Sequence, residues 1–142
     1  MEVRVKKLDE RAVIPKYSKT GDAGMDLTAI SVEDTSKFIE YDTGLAFEIP
    51  EGHVGLLFPR SSISKQDLIL ANSVGVVDSS YRGPVKFRFK KTEDNLMLCD
   101  RYKAMERVGQ IMIIPYPKIE IVESDELSDT ERGVGGFGHT GK

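Results

Sequence analysis

A carboxylate and an aromatic ring share one bend of this chain. The apolar run Val74 to Val77 stops at Asp78, a polar turn then carries Tyr81, and Val85, Phe87 and Phe89 follow in alternation with charged residues. The whole stretch from Asn72 to Lys90 reads as a β-hairpin. An acid at such a point can orient or deprotonate a water, or it can simply start the turn by accepting backbone N–H groups. A second candidate is PRSSISKQ, residues 59 to 66. Pro59 fixes the approach, Arg60 supplies a forked cation, and Ser61 or Ser62 would cap a short helical turn reaching Lys65 and Gln66. Free N–H groups at the head of such a turn, two hydroxyls and a guanidinium suit a phosphate; the same residues also read as a plain cap beside a surface arginine. Asp26, on the polar side of AGMDLTAI, is either a site residue or a solvated strand acid. Gln110 interrupts the apolar run around it, and its amide needs a partner if buried. In the last ten residues five glycines surround Phe137. By composition this is a disordered end, although glycine-rich backbone can also fold into a nest of N–H groups around a phosphate, with Arg132 and Thr140 as additions. Gly136 to Lys142 has the spacing G-x-x-x-x-G-K, but no Ser/Thr or helix follows in this sequence, and a Walker-type loop is rejected.

The elements that would carry these groups are short and extended. Val3 and Val5 alternate with charges in a first strand. Met25, Leu27 and Ala29 mark another. Leu45, Phe47 and Ile49 lead through the turn Pro50-Glu51-Gly52 into a return strand with Val54, Leu56 and Phe58. Residues 91 to 104 show no clean period and read as a loop that could hold a short strand. Val108, Ile111, Ile113 and Ile114 pack in a long strand, and Ile119 with Ile121 make a last one, at an edge or crossing between subunits because of Pro115 and Pro117. No long stretch repeats every 3.6 residues, so the fold class is all-β: a sandwich, jelly roll or barrel.

The 142 residues suit a single domain, with 39% hydrophobic and 30% charged side chains. A net charge of −3 advertises no broad basic face for nucleic acid, and any polyanion bound must be small and held by a few local groups. One cysteine, Cys99, and two distant histidines, His53 and His139, provide neither a disulfide framework nor a zinc site. No apolar run is long enough for a membrane span and the N-terminal residues hold no signal-peptide core, so the expected location is cytoplasmic, with no membrane or nucleic-acid partner.

Five stretches in this order, AGMDL (23 to 27), PRSS (59 to 62), GVVDSSYRG (75 to 83), ERVGQ (106 to 110) and RGVGGFGHTG (132 to 141), resemble the five motifs of the trimeric dUTP pyrophosphatase (dUTPase) family. The resemblance covers nearly the whole chain. It implies a distorted β-barrel or jelly roll over residues 1 to 122, a mobile glycine-rich lid over 123 to 142, and a homotrimer with active sites at the subunit junctions. It also implies Mg²⁺-assisted hydrolysis of dUTP to dUMP and pyrophosphate, which keeps uracil out of DNA and supplies dUMP for thymidylate synthesis. By the same resemblance Asp78 orients the water that attacks the α-phosphorus and Tyr81 lies under the deoxyribose. Gly75, Val76 and Val77, with Asn72 and Lys86 nearby, hold the uracil edge. Arg60, Ser61, Ser62 and Gln110 bind phosphate oxygens, and Asp26 holds waters on the Mg²⁺. Phe137 stacks on uracil while Arg132, Gly138 and Thr140 grip the γ-phosphate.

Three positions depart from the family pattern. Met105 stands where the fourth motif often has glycine, His139 replaces a small hydroxyl residue, and the segment from 91 to 104 is longer than in compact members. A dCTP deaminase on the same scaffold is disfavoured, because VKFRF lacks the glutamate such deaminases share. A nucleotide-sensing interaction protein is the alternative of another class, and the intact set of catalytic residues argues for turnover.

Overall fold

Alternation along the chain does build the core. Val85, Phe87 and Phe89 are all buried, as are Leu45, Phe47 and Ile49. The computed structural model describes residues 1–92 and 101–136. Its ten strands are β1 Arg4–Lys7, β2 Met25–Thr28, β3 Ser31–Asp34, β4 Ile39–Asp42, β5 Leu45–Glu48, β6 His53–Phe58, β7 Leu68–Leu70, β8 Gly75–Val77, β9 Lys86–Lys91 and β10 Arg107–Pro115. A five-residue 3₁₀ turn, Ser61–Lys65, is the sole helical element among the described residues. The strands form an all-β, jelly-roll arrangement of two four-stranded antiparallel sheets, ordered β2-β10-β6-β8 and β3-β4-β9-β7, with β1 and β5 as a separate pair. Leu27, Leu57, Val77, Val108 and Ile111 from one sheet meet Ile39, Tyr41, Leu68, Leu70, Phe87 and Phe89 from the other in one cluster.

Neither expected hairpin pairs with itself. β8 bonds to β6, while β9 lies in the other sheet between β4 and β7. The stretch from Asn72 to Lys90 therefore crosses from one sheet to the other. The turn after β5 behaves alike: His53 N–H donates to the Pro50 carbonyl at 3.1 Å and Gly52 takes φ +77, yet β5 pairs with β1 and β6 with β10 and β8. Alternation records only which side chains face the core. It is the same whether two arms pair edge to edge or face each other across it.

The strand expected at Ile119 and Ile121 does not form. Both side chains are exposed, and the ladder ends at Pro115 with one more bond, Tyr116 N–H to the Gly52 carbonyl at 2.9 Å. Pro115 and Pro117 remove donors that an extension of the strand would need. A true hairpin, β3 with β4, was not expected. Its second strand, IEYD, buries three residues in a row, Glu40 included, which no alternating pattern announces.

Candidate active site

The sheet β2-β10-β6-β8 carries two groups of polar residues. The first is built on the outer face of β2 and β10. Leu27 points inward, so Asp26 and Thr28 point out, and register sets Asp26 opposite Gln110 and Gln110 opposite Phe58. The ladder is irregular between Arg107 and Gly109. Val108 is buried, and a Cβ on Gly109 would overlap the Phe87 ring, so two successive residues face the core. This bulge turns Arg107 to the same outer face as Gln110.

Around Asp26 the contacts are specific. Arg60 Nε donates to Asp26 Oδ1 and Arg107 Nη1 to Asp26 Oδ2, both at 3.0 Å. Gln110 Nε2 donates to the Pro59 carbonyl at 3.0 Å, which meets the need of its amide and ties β10 to the approach of Arg60. A Cβ on Gly24 would lie 2.5 Å from Gln110 Oε1, so the glycine leaves that amide its place. Two guanidiniums against one carboxylate leave one net positive charge, with further N–H donors unspent, a combination matched to phosphate oxygens. The expected serine cap is not made: Arg60 is the cap residue of the 3₁₀ turn, and no side-chain cap bond forms. Ser62 Oγ instead meets the Tyr102 hydroxyl at 2.9 Å, and Ser61 is exposed.

The second group borders an open groove of about 600 Å³ that holds Asn72, Gly75, Val76, Val77, Asp78, Tyr81 and Lys86. β8 is the outer strand of its sheet, so one row of its backbone N–H and C=O groups has no ladder partner. Tyr81 N–H donates to the Asp78 carbonyl at 3.0 Å and the Tyr81 hydroxyl to the Pro84 carbonyl at 3.2 Å, folding the ring over Gly83. Any Cβ on Gly83 would overlap that ring. The Asp78 residue is exposed, and its carboxylate has no hydrogen bond or ion pair among the described residues. Lys86 is spoken for. Its ammonium donates to Glu40 at 2.6 Å and lies 3.3 Å from Asp42, while Arg88 Nε donates to the other Glu40 oxygen at 2.7 Å. The hydrogen bond from Lys86 holds the Glu40 carboxyl below its ordinary 4.5, against the effect of burial, and Glu40 in turn raises the Lys86 ammonium.

The two groups do not meet on one chain. Asp78 follows Val77, the partner of Gly55 near the start of β6, whereas Arg60 lies just past Phe58 at its far end. At about 3.3 Å per extended residue, the stretch from Gly55 to Arg60 comes to roughly 17 Å. Arg132 lies in the tail, where its Nε donates to the Gly135 carbonyl at 3.0 Å. Phe137, Gly138, His139 and Thr140 lie outside the described residues. Sequence reasoning missed Arg107 and Tyr102. Only a bulge turns Arg107 outward beside Gln110, and Tyr102 sits in a stretch with no period to follow.

The dUTPase family model matches residues 10–141. The chain belongs to the dUTPase family. It is 41% identical over 149 residues to the deoxyuridine 5'-triphosphate nucleotidohydrolase of Nautilia profundicola, covering 100% of both chains. It is 37% identical to that of Escherichia phage T5, covering 95% of this chain and 96% of the other. Among solved structures, the Staphylococcus bacteriophage 80alpha dUTPase with dUpNHpp matches with a TM-score of 0.85, 28% identity and 99% of both chains covered. The activity that defines the dUTPase family is hydrolysis of dUTP. Met105 takes φ +68 and donates its N–H to the Ala29 carbonyl at 2.7 Å, so this left-handed turn is made with a residue poorly suited to it.

Proposed function

We propose that the chain hydrolyses dUTP to dUMP and pyrophosphate, in the cytoplasm, as a homotrimer whose three sites are built at subunit junctions; this keeps uracil out of DNA and supplies dUMP for thymidylate synthesis. One observation carries the reading: Asp78, at the end of β8, lies beside the start of β6, and Arg60 follows the far end of β6, roughly 17 Å away along the strand. One chain cannot aim the acid at the innermost phosphate while its own arginine grips the same triphosphate. A second copy that brings its Arg60 half against the Asp78 half of the first serves one substrate with both, and a head-to-tail contact with a threefold rotation closes into a ring of three.

The uracil edge is read by the unpaired backbone row of β8, Gly75 to Val77, with Asn72 beside it. A base with the wrong donors and acceptors leaves buried polar groups unpaired. Lys86, locked to Glu40 and Asp42, stiffens that wall. Tyr81 packs under the deoxyribose and leaves no space for a 2′-hydroxyl. Asp78, with no cation against it among the described residues, has a carboxylate available to accept a proton from the water attacking the α-phosphorus, help worth roughly 10²–10⁴ in rate. Arg60, Ser61, Ser62 and Gln110 take phosphate oxygens and offset the negative charge that builds on the leaving pyrophosphate. The tail from 123 to 142 closes over the site, Phe137 stacking on uracil and Arg132, Gly138 and Thr140 holding the γ-phosphate, so that bulk water is excluded.

Among the described residues no three His, Cys, Asp or Glu side chains gather as a metal site, and Asp26 already accepts from two guanidiniums. Such a surrounding suits an ion that takes most of its ligands from phosphates and water, as Mg²⁺ does, with Asp26 holding metal-bound water through its remaining lone pairs. When bound, Mg²⁺ neutralises triphosphate charge and fixes its conformation. Neither nucleic acid nor membrane has a place in this scheme. The test is a panel of dUTP, UTP, dCTP and dTTP with Mg²⁺, scored for pyrophosphate and ammonia. Pyrophosphate from dUTP far above the other three is expected; ammonia from dCTP, or equal turnover of UTP, would overturn the reading.

A further inference from the structure

Tyr102 packs in the aromatic core and sets its hydroxyl against Ser62. The residue is 8% exposed, and its ring stands edge-on to Tyr41 at 6.1 Å and tilted to Phe89 at 6.4 Å between centroids. Its backbone carbonyl accepts the Tyr41 hydroxyl at 3.1 Å. Ring and backbone are thus gripped from the core side, and the hydroxyl oxygen is a fixed point 2.9 Å from Ser62 Oγ.

Either hydroxyl can donate across this contact, and the partners in reach favour Tyr102 as the donor. A buried hydroxyl donates its hydrogen where it can, and among the described residues Ser62 Oγ is the acceptor in reach of Tyr102. Arg60 Nη1, a group that can only donate, lies 3.5 Å from the same Ser62 oxygen. With Tyr102 and Arg60 both donating to it, Ser62 Oγ keeps its own hydrogen for a further acceptor. A serine so loaded offers a donor and little acceptor, the polarity a phosphate oxygen requires, and each bond in such a chain strengthens the next.

We infer that Tyr102 is a positioning residue for phosphate binding, donating to Ser62 Oγ so that the Ser62 hydroxyl is preset as a donor to a phosphate oxygen of the substrate. This rests on the proposed phosphate role of Ser62. Tyr102→Phe keeps the ring in its aromatic cluster and removes only the hydroxyl. The substitution should leave the unliganded melting temperature within about 3 °C of wild type while lowering kcat/KM for dUTP about tenfold. Ser62→Ala should lower it at least as much, and adding Tyr102→Phe to Ser62→Ala should cost nothing further, because the second residue acts through the first. Were Tyr102 merely structural, its loss would be felt equally in both backgrounds, and that outcome overturns the inference. So does a Tyr102→Phe enzyme with wild-type kcat/KM beside an impaired Ser62→Ala enzyme, which leaves the phosphate role of Ser62 standing. A Ser62→Ala enzyme with unchanged kcat/KM removes that role itself, and the inference falls with it.

Discussion

Residue by residue, the groups proposed to do chemistry are those whose type is out of keeping with its setting. Asp78 closes an apolar run, Gln110 interrupts one, and Arg60 follows a proline at a strand end, so each was legible in the sequence. Met105 was legible as an anomaly, and the structure gives it a cost. At φ +68 its Cβ crowds the neighbouring carbonyl, which costs about 1–2 kcal/mol for a residue other than glycine. Its side chain is 55% exposed, so little packing offsets the strain. Glycine there loses about 0.5–1 kcal/mol to the greater freedom of the unfolded chain. Met105→Gly should therefore raise stability by about 0.5–1 kcal/mol, seen as a melting temperature higher by about 2–4 °C with unchanged kcat. A lower melting temperature would mean that contacts of the Met105 side chain outweigh the backbone. Tyr102 and Arg107 were not legible, because their placement beside these groups shows only in a bond to a residue 40 positions away and in a bulge, neither of which local pattern records.

At the scale of the element, which strands exist was far more readable than which strands pair. Leu45 to Phe58 and Val74 to Phe89 each read as a hairpin because two apolar arms joined by a turn look the same in sequence whether they pair with each other or enter different sheets. β4 was missed although Ile39 and Tyr41 alternate inward, because it is only four residues long; Glu40 lies on its outer face and is buried there by Lys86 and Arg88 of β9, which bond both its oxygens. This pairing links stability to pH with a definite sign. Since the folded-state pKa of Glu40 lies below the ordinary 4.5, the stabilisation is fully present above pH 4.5 and is lost as pH falls through the lower folded value. Asp67, whose carboxyl is held down by hydrogen bonds from Arg101, loses stabilisation on the same acid limb, so the difference between proteins is the useful quantity. Glu40→Gln should cost about 1–3 kcal/mol at pH 7. Denaturant titrations from pH 7 to pH 3 should show that penalty shrinking toward zero as Glu40 protonates in the wild type. A penalty constant across the range would mean that the substituted amide fails for packing reasons and that the charge contributes nothing.

For the molecule as a whole, what matters is that the acid, after β8, and the arginine, after β6, lie beside opposite ends of β6. The motifs were legible one at a time because each is a short run of residues. Their division between two faces of one chain was not, since it follows from strand register and from the crossing after β8. The same division makes the proposed trimer testable without a structure of the assembly. Asp78→Asn and Arg60→Ala should each abolish most dUTP hydrolysis, the former by roughly 10²–10⁴ in kcat. In a junction site, Asp78 comes from one copy and Arg60 from another. An Arg60→Ala copy still supplies the acid, and an Asp78→Asn copy still supplies the arginine. If the two inactive proteins are unfolded and refolded together in equal amounts, a site is intact when its acid comes from the first kind and its arginine from the second. With random assortment this holds for about a quarter of the sites in a closed ring, so about a quarter of wild-type turnover should return. Mixing without refolding should restore nothing, which separates subunit exchange from contamination by active enzyme. If the co-refolded mixture is no more active than its parts, acid and arginine act within one chain, and the roughly 17 Å that separates them along β6 would have to be closed by a rearrangement of the strand itself.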